Sequence, residues 1–246
     1  QSGRIVADFG SYNERSLQAA FDGPISGKVG YALSLSTLNR DGYIDNTTLK
    51  RRDDNRSSGS ARGYLFFNPD ATLRLRLGVF VENVDDDATR LSSLLSPDPF
   101  KVGSDLAGRT QLDRQQYSFQ ARKKLSFGTL TATTSWQHYD LDPAITDLDL
   151  SAFPLASSRV AQEEKTWTQE IRFESEPGAD KSQLRGGLFF FDSTTDSTAV
   201  RSFIVPPSTF VPPNFVQTER TVYSIGQRNL AAYASYEQPV AGDLVW

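Results

Sequence analysis

The chain has 246 residues, a formal net charge of −4 and a mean hydropathy of −0.44. It contains no cysteine, which excludes a disulfide or a thiolate metal site, and no Lys/Arg block of the kind that binds nucleic acid. No apolar run approaches the roughly 20 residues of a spanning helix, and with neither a methionine nor a signal-like segment a leader is expected to have been removed.

In chain order, the residues read as strands. Arg15–Asp22 alternates through Leu17, Ala19 and Phe21. Lys28–Leu38 is the clearest segment, with Val29, Tyr31, Leu33 and Leu35 on one face and Gly30, Ala32, Ser34 and Ser36 on the other. Ala71–Glu82 repeats the pattern, setting Leu73, Leu75, Leu77, Val79 and Val81 against Thr72, Arg74, Arg76, Gly78 and Glu82. Gln115–Lys123 follows through Tyr117, Phe119 and Ala121. In Thr129–Gln137, Leu130, Ala132 and Trp136 oppose four hydroxyl residues. In Thr166–Ser175, Trp167, Ile171 and Phe173 oppose Glu170, Arg172 and Glu174. Tyr64–Phe67, Phe189–Phe191 and Asn229–Glu237 are apolar or mixed on both faces, so periodicity does not orient them. About ten strands result, with the start of another at Leu244–Trp246.

The connections sort by parity. Short turns are expected at Gly23–Gly27, Asn68–Asp70, Ser126–Gly128, Glu176–Lys181 and Pro239–Asp243. Long polar stretches are expected at Arg40–Ser60, Asp85–Arg114, Asp140–Lys165 and Ser193–Asn229. Strands that turn tightly at one end and wander at the other describe an all-β, antiparallel, up-and-down transmembrane barrel. A soluble sandwich also alternates, but its strands are shorter and its connections do not sort in this way. An arginine at mid-depth in lipid costs about 2–4 kcal/mol. Arg74, Arg76, Glu170, Arg172 and Glu174 are therefore expected to face the lumen, and Leu73, Leu75, Leu77, Trp136 and Trp167 the lipid. Indole rings favour the membrane interface, which places Trp136 and Trp167 in an aromatic girdle.

Chemistry-bearing residues are few. His138 is the single histidine and shares a face with Trp136, away from any inward nucleophile; no enzyme, cofactor or metal site is expected. Asp85-Asp-Asp87 lacks the six to eight spaced oxygens of a calcium loop. Arg51, Arg52 and Arg56 could attract an anionic ligand or lipopolysaccharide phosphates, or neutralise Asp53 and Asp54 beside them. The Ser193–Asn229 stretch carries Phe210, Tyr223 and two Pro-Pro pairs, suited either to closing over a ligand or to packing on neighbouring loops. With Tyr139, these residues form the candidate ligand set.

Several stretches, taken in order, resemble the TonB-dependent outer-membrane receptor family. Gly10-Ser-Tyr-Asn-Glu-Arg15 is similar to its first barrel hairpin, Asp22-Gly-Pro-Ile-Ser-Gly27 to the next periplasmic turn, and Asn39-Arg-Asp-Gly-Tyr-Ile-Asp-Asn46 to the start of the following outer loop. Ala61-Arg-Gly-Tyr-Leu-Phe-Phe-Asn-Pro-Asp70, Thr168-Gln-Glu-Ile-Arg-Phe173 and Gly186-Gly-Leu-Phe-Phe-Phe-Asp192 resemble later strands. The resemblance implies a barrel of about 22 strands around an N-terminal plug, of which residues 1–246 hold roughly the first half, with the plug and the closing strand outside. It also implies a bacterial outer-membrane location, a TonB-type energy-coupling partner and uptake of a scarce nutrient complex, most commonly a ferric siderophore. A passive porin-like channel and an adhesion or binding module are the alternatives.

Overall fold

The computed structural model describes residues 1–88, 97–178, 182–205, 215–241 and 244–245. Ten strands form one antiparallel sheet: β1 (Ser2–Phe9), β2 (Arg15–Pro24), β3 (Val29–Arg40), β6 (Arg56–Phe67), β7 (Leu73–Asp86), β9 (Arg109–Leu125), β10 (Gly128–Asp147), β11 (Ala156–Ser175), β12 (Gln183–Val205) and β13 (Phe215–Glu237). Each pairs with the next in this order, so the topology is an up-and-down meander. Three short strands, β4 (Ile44–Asn46), β5 (Arg51–Asp53) and β8 (Lys101–Val102), form a separate sheet in the loops, and β14 (Pro239–Ala241) pairs with β15 (Leu244–Val245). No described helix is long and apolar enough to cross a membrane.

The sheet has no dry interior. Among the described residues only Ile44, Ala88 and Ala199 are buried apolar side chains, whereas Leu77, Ile171 and Leu188 are each more than half exposed. In a sandwich these residues would face a second sheet. Here they stand together on one side of a single sheet, an apolar surface larger than soluble monomers ordinarily leave open. At mid-sheet the two faces differ in crowding as well as in polarity. A Cβ added to Gly78, on the polar face, would lie 2.5 Å from Ser118 Oγ and 2.8 Å from the Tyr64 ring. On Gly63, on the apolar face, the nearest atom would be in Leu33 at 4.0 Å. In this mid-sheet region the polar face is the more crowded, as the concave side of a sheet curling toward a barrel would be.

Cross-strand register orients the segments that periodicity left open, because directly opposed residues share a face. Leu65 and Phe67 oppose Leu77 and Leu75, so they join the apolar face and leave Tyr64 and Phe66 on the polar one. Phe190 opposes Leu230, which puts Phe189 and Phe191 on the polar face.

Register also shows the tilt. One row of opposed residues runs Phe21, Leu33, Gly63, Val79, Tyr117, Trp136, Trp167, Asp192, Arg228. It begins apolar, passes through Tyr117, Trp136 and Trp167 and ends in an ion pair of 2.7 Å. The row nearer the short turns, Val29, Phe67, Leu75, Ala121, Ala132, Ile171, Leu188, Ala232, stays apolar throughout. A row that slides from apolar to charged as it crosses the sheet is what strands inclined to an apolar slab produce, since rows run perpendicular to strands. Thr134 and Gln169, opposed to each other, interrupt the apolar face in the row between these two.

Two of the expected long connections prove to be mostly strand. β10 continues through Asp147 and β11 begins at Ala156, so Asp140–Lys165 reduces to a turn over 148–155. β12 continues through Val205 and β13 begins at Phe215, which leaves only 206–214 of Ser193–Asn229 between strands. Trp136 and Trp167 therefore sit in mid-strand and not at strand ends. A bulge at 142–143 adjusts the register of the extension without ending it. The physical reason is that a hydrogen-bonded ladder needs no apolar side chains: beyond the tryptophans polar residues enter both faces and the alternation blurs while the pairing persists.

Candidate functional site

Two regions concentrate charged side chains: the layer at the long-connection end and the concave wall.

The outer layer joins the connection 41–55 to the connection 87–108. β4 pairs antiparallel with β5 and parallel with β8, and Asp45 N and Thr47 N donate to the carbonyls of Phe100 and Val102 at 2.8 and 2.9 Å. Asn46, fully buried, shapes the turn: its Oδ1 accepts from the backbone of Thr48 and Leu49 and its Nδ2 donates to Asp53 at 2.8 Å. Gly42 is required here, because a Cβ would lie 2.1 Å from the Asp53 carbonyl oxygen.

The arginines of the candidate ligand set are absorbed into this layer. Arg51 lies 3.1 Å from Asp53 and 2.7 Å from Asp87. Arg56 lies 3.3 Å from Asp54 and 3.1 Å from Asp86, and Arg52 is 3.7 Å from Asp45. Arg40 adds a second contact to Asp54 and stacks over Tyr43 at 4.7 Å. The three consecutive acids Asp85-Asp-Asp87 diverge: Asp85 takes a two-pronged contact from Arg109 at 2.7 Å, Asp86 meets Arg56, and Asp87 meets Arg51 and Asn55. Arg109 holds the Asp85 carboxyl below the usual range by donating hydrogen bonds to it. The triplet ties loops together and does not converge on a cation.

A cluster with no sequence spacing to announce it lies nearby. Asp105, Asp147 and Asp149 bring carboxylate oxygens within 4.8 Å of one another. Burial, then the charges of Asp147 and Asp149, push the Asp105 carboxyl up. Burial acts the same way on Asp149, but hydrogen bonds from Ser151 and Ala156 outweigh it and leave that group below its ordinary value. The cluster joins residues more than forty positions apart, which no motif could show. Beside it a mostly apolar cavity of about 330 Å³ is lined by Asp105, Leu155, Phe203, Ile204 and Val216.

Tyr139 and Tyr223 both lie in strands on the concave face, in different rows and three strands apart. Tyr139 opposes Arg114 and Glu164, and Tyr223 opposes Ser197. Phe210 lies outside the described residues. His138 stacks on Trp136 at 5.8 Å and meets Glu163 at 2.9 Å on the side of the apolar face. Trp136 and Trp167 oppose each other, and Tyr117 stacks on Trp136 at 5.7 Å.

On the concave wall the charges divide by position. Toward β13, Arg185 lies between Glu174 at 3.1 Å and Glu237 at 2.6 Å, and the Tyr233 hydroxyl donates to Glu170 at 2.6 Å. Toward β7 and β9 the wall carries Arg74, Arg76 and Arg122, with Arg74 directly opposite Arg122. A cavity of about 470 Å³ opens beside these three.

No protein family profile matches the sequence. Solved structures do resemble it over nearly its whole length. The ferric yersiniabactin uptake receptor FyuA from Yersinia pestis is 10% identical, with a TM-score of 0.67 over 96% of this chain and 43% of its own. The ferripyoverdine receptor of the outer membrane of Pseudomonas aeruginosa is 11% identical, with a TM-score of 0.69 over 97% and 35%. The siderophore receptor PiuA from Acinetobacter baumannii is 9% identical, with a TM-score of 0.63 over 96% and 46%. The chain spans less than half the length of each. At such identities the likeness is one of fold, and the chain has the fold of part of the barrel wall of siderophore receptors.

Proposed function

We propose that the chain is part of the wall of an outer-membrane uptake receptor that captures a ferric siderophore, or a nutrient complex of that kind, at the cell surface. Further strands would complete the barrel beyond β1 and β13, and a plug polypeptide would fill the concave side. The observation that carries the reading is the oblique row that passes from Phe21 through Tyr117, Trp136 and Trp167 to Arg228. It fits inclined strands crossing a membrane with aromatic residues at the interface. The fold likeness to siderophore receptors narrows the ligand class.

In this reading Leu73, Leu75, Leu77, Trp136 and Trp167 meet lipid, and Arg74, Arg76, Glu170, Arg172 and Glu174 face the lumen. The layer holding Arg51, Arg52 and Arg56, with Tyr139 and Tyr223 on the concave face, would flank the outer mouth. Lipopolysaccharide would surround the polar strand extensions. Energy coupling through a TonB-type protein would act on the plug, and no bond of the ligand would be broken.

The test uses the full-length gene in a deletion strain. Growth under iron limitation on one or more ferric siderophores, lost on deletion and lost again without the energy-coupling protein, supports the proposal. Uptake that survives loss of that protein, together with steady conductance in planar bilayers, overturns it in favour of a passive channel.

A further inference from the structure

The concave wall is not uniformly compensated. Four guanidiniums, Arg62, Arg74, Arg76 and Arg122, project from its β6–β9 corner, and no carboxylate pairs with any of them among the described residues. Arg62 and Arg76 rest on aromatic rings, over Phe80 at 4.9 Å and Tyr64 at 5.4 Å. Arg74 and Arg122 oppose each other directly, and Arg172 stands in the same row with only Thr131 between. Asp70, at the turn end of the same cavity, is held by Thr72 and Leu73.

Arginine stays charged at any accessible pH, and like charges directly across a ladder repel. Arg62, Arg74, Arg122 and Arg172 are exposed on this face, so their guanidiniums are open to a partner that approaches from the concave side. Elsewhere on this face the sequence supplies partners, as Glu82 does for Arg114 at 3.3 Å. Here the one nearby acid, Asp70, lies toward Lys123 at 4.0 Å, and no described carboxylate is within ion-pair distance of the four arginines, so a partner for them would come from outside the sheet.

We infer that this corner is the docking surface for an acidic polypeptide segment whose carboxylates pair with Arg74, Arg122 and Arg172. The spacing favours a polypeptide over a free anion. Strands lie about 4.8 Å apart, so the row spans three strand intervals from Arg74 to Arg172, roughly 14 Å, beyond the reach of one phosphate. An extended segment offers same-face side chains about every 6.6–6.8 Å and can supply bidentate partners along the row. A lasting imbalance also calls for a resident partner and not a transient ligand. The inference rests on the reading above that a polypeptide fills the concave side, and names the chemistry of the part that meets this corner.

The experiment uses full-length protein in isolated outer membranes. Arg122→Lys preserves the charge and offers a primary amine, which a carbodiimide joins to a carboxylate within contact distance. Peptide mass spectrometry then identifies the partner. A second variant, Ser135→Cys, reports with a water-soluble maleimide whether the wall is covered. Expected are an amide between position 122 and an Asp or Glu outside residues 1–246, and a Ser135→Cys thiol that stays shielded. Adding Arg74→Glu and Arg122→Glu to Ser135→Cys should raise its labelling severalfold. Coupling only to carboxylates of this sheet, or no coupling while Ser135→Cys remains shielded, overturns the acidic segment and leaves the filled barrel standing. Free labelling of Ser135→Cys overturns both. Retained heat-modifiable mobility in each variant shows that the barrel has assembled.

Discussion

Arginines in the loop layer and arginines on the β7–β9 wall are the same residue in opposite circumstances. Arg51 and Arg56 each meet two aspartates, and the geometry is complete within the chain. Arg74 and Arg122 face each other with no described acid to separate them. Runs such as Arg51-Arg-Asp-Asp54 carry their own counterions, so a cluster that looks like a ligand trap by composition can be internal mortar. Arg74 and Arg76, alternating with leucines in one strand, look structural and have no acid beside them in the sequence. Local neutrality in sequence is the better guide to which positive charges are free to act.

The comparison can be broken from either side. The largest effect is expected on the apolar face that backs the arginine wall. Leu75→Arg places a charge amid Ala121 and Phe67 and should cost about 2–4 kcal/mol if the face meets lipid. Thr133→Arg, on the concave face opposite Glu170, should be tolerated. Heat-modifiable mobility of the two full-length variants tests this, and equal assembly would refute the facing. Next comes the loop layer. Gly42→Ala drives a methyl into the Asp53 carbonyl, and should expose residues 41–55 to limited proteolysis while the barrel still assembles. Smaller is Tyr117→Ala, which removes the ring stacked on Trp136. A loss of about 1 kcal/mol is expected, read as a lower urea midpoint in liposomes.

Smallest is a pH effect in the outer acidic cluster. Asp105 has a raised carboxyl pKa because of burial and the neighbouring Asp147 and Asp149. Its favourable contribution is complete below the ordinary carboxylate pKa and is lost as pH rises through the raised one. Asp105→Asn should therefore make protease resistance of the 148–155 turn independent of pH across that window. An unchanged profile would show that Asp105 does not set it.

What was legible in the chain follows from where polarity contrasts exist. Lys28–Leu38 and Ala71–Glu82 could be read residue by residue because one face is apolar and the other polar, and both run as strands on opposite sides of β6. The extensions of β10 to β13 were hidden because Glu163, Lys165 and Asp196 share a face with His138 and Asp140, leaving no contrast to detect. The parallel pairing of Asp45 with Lys101 and the meeting of Asp105 with Asp147 depend on chain reversal across distant loops, which spacing does not encode. For the wall arginines, parity assigned a face, but only cross-strand register revealed that Arg74 and Arg122 are opposed.

β10 runs on from Trp136 to Asp147 and β11 returns from Ala156, so this hairpin continues eleven residues past the indole pair. At the usual rise and an inclination near 45°, that is a parapet roughly 25 Å tall. Its rim is braced by continuous backbone pairing instead of hanging as slack chain. Whatever approaches from outside would first touch a stiff, charged battlement, whose shape is already set before contact and loses little freedom in being gripped.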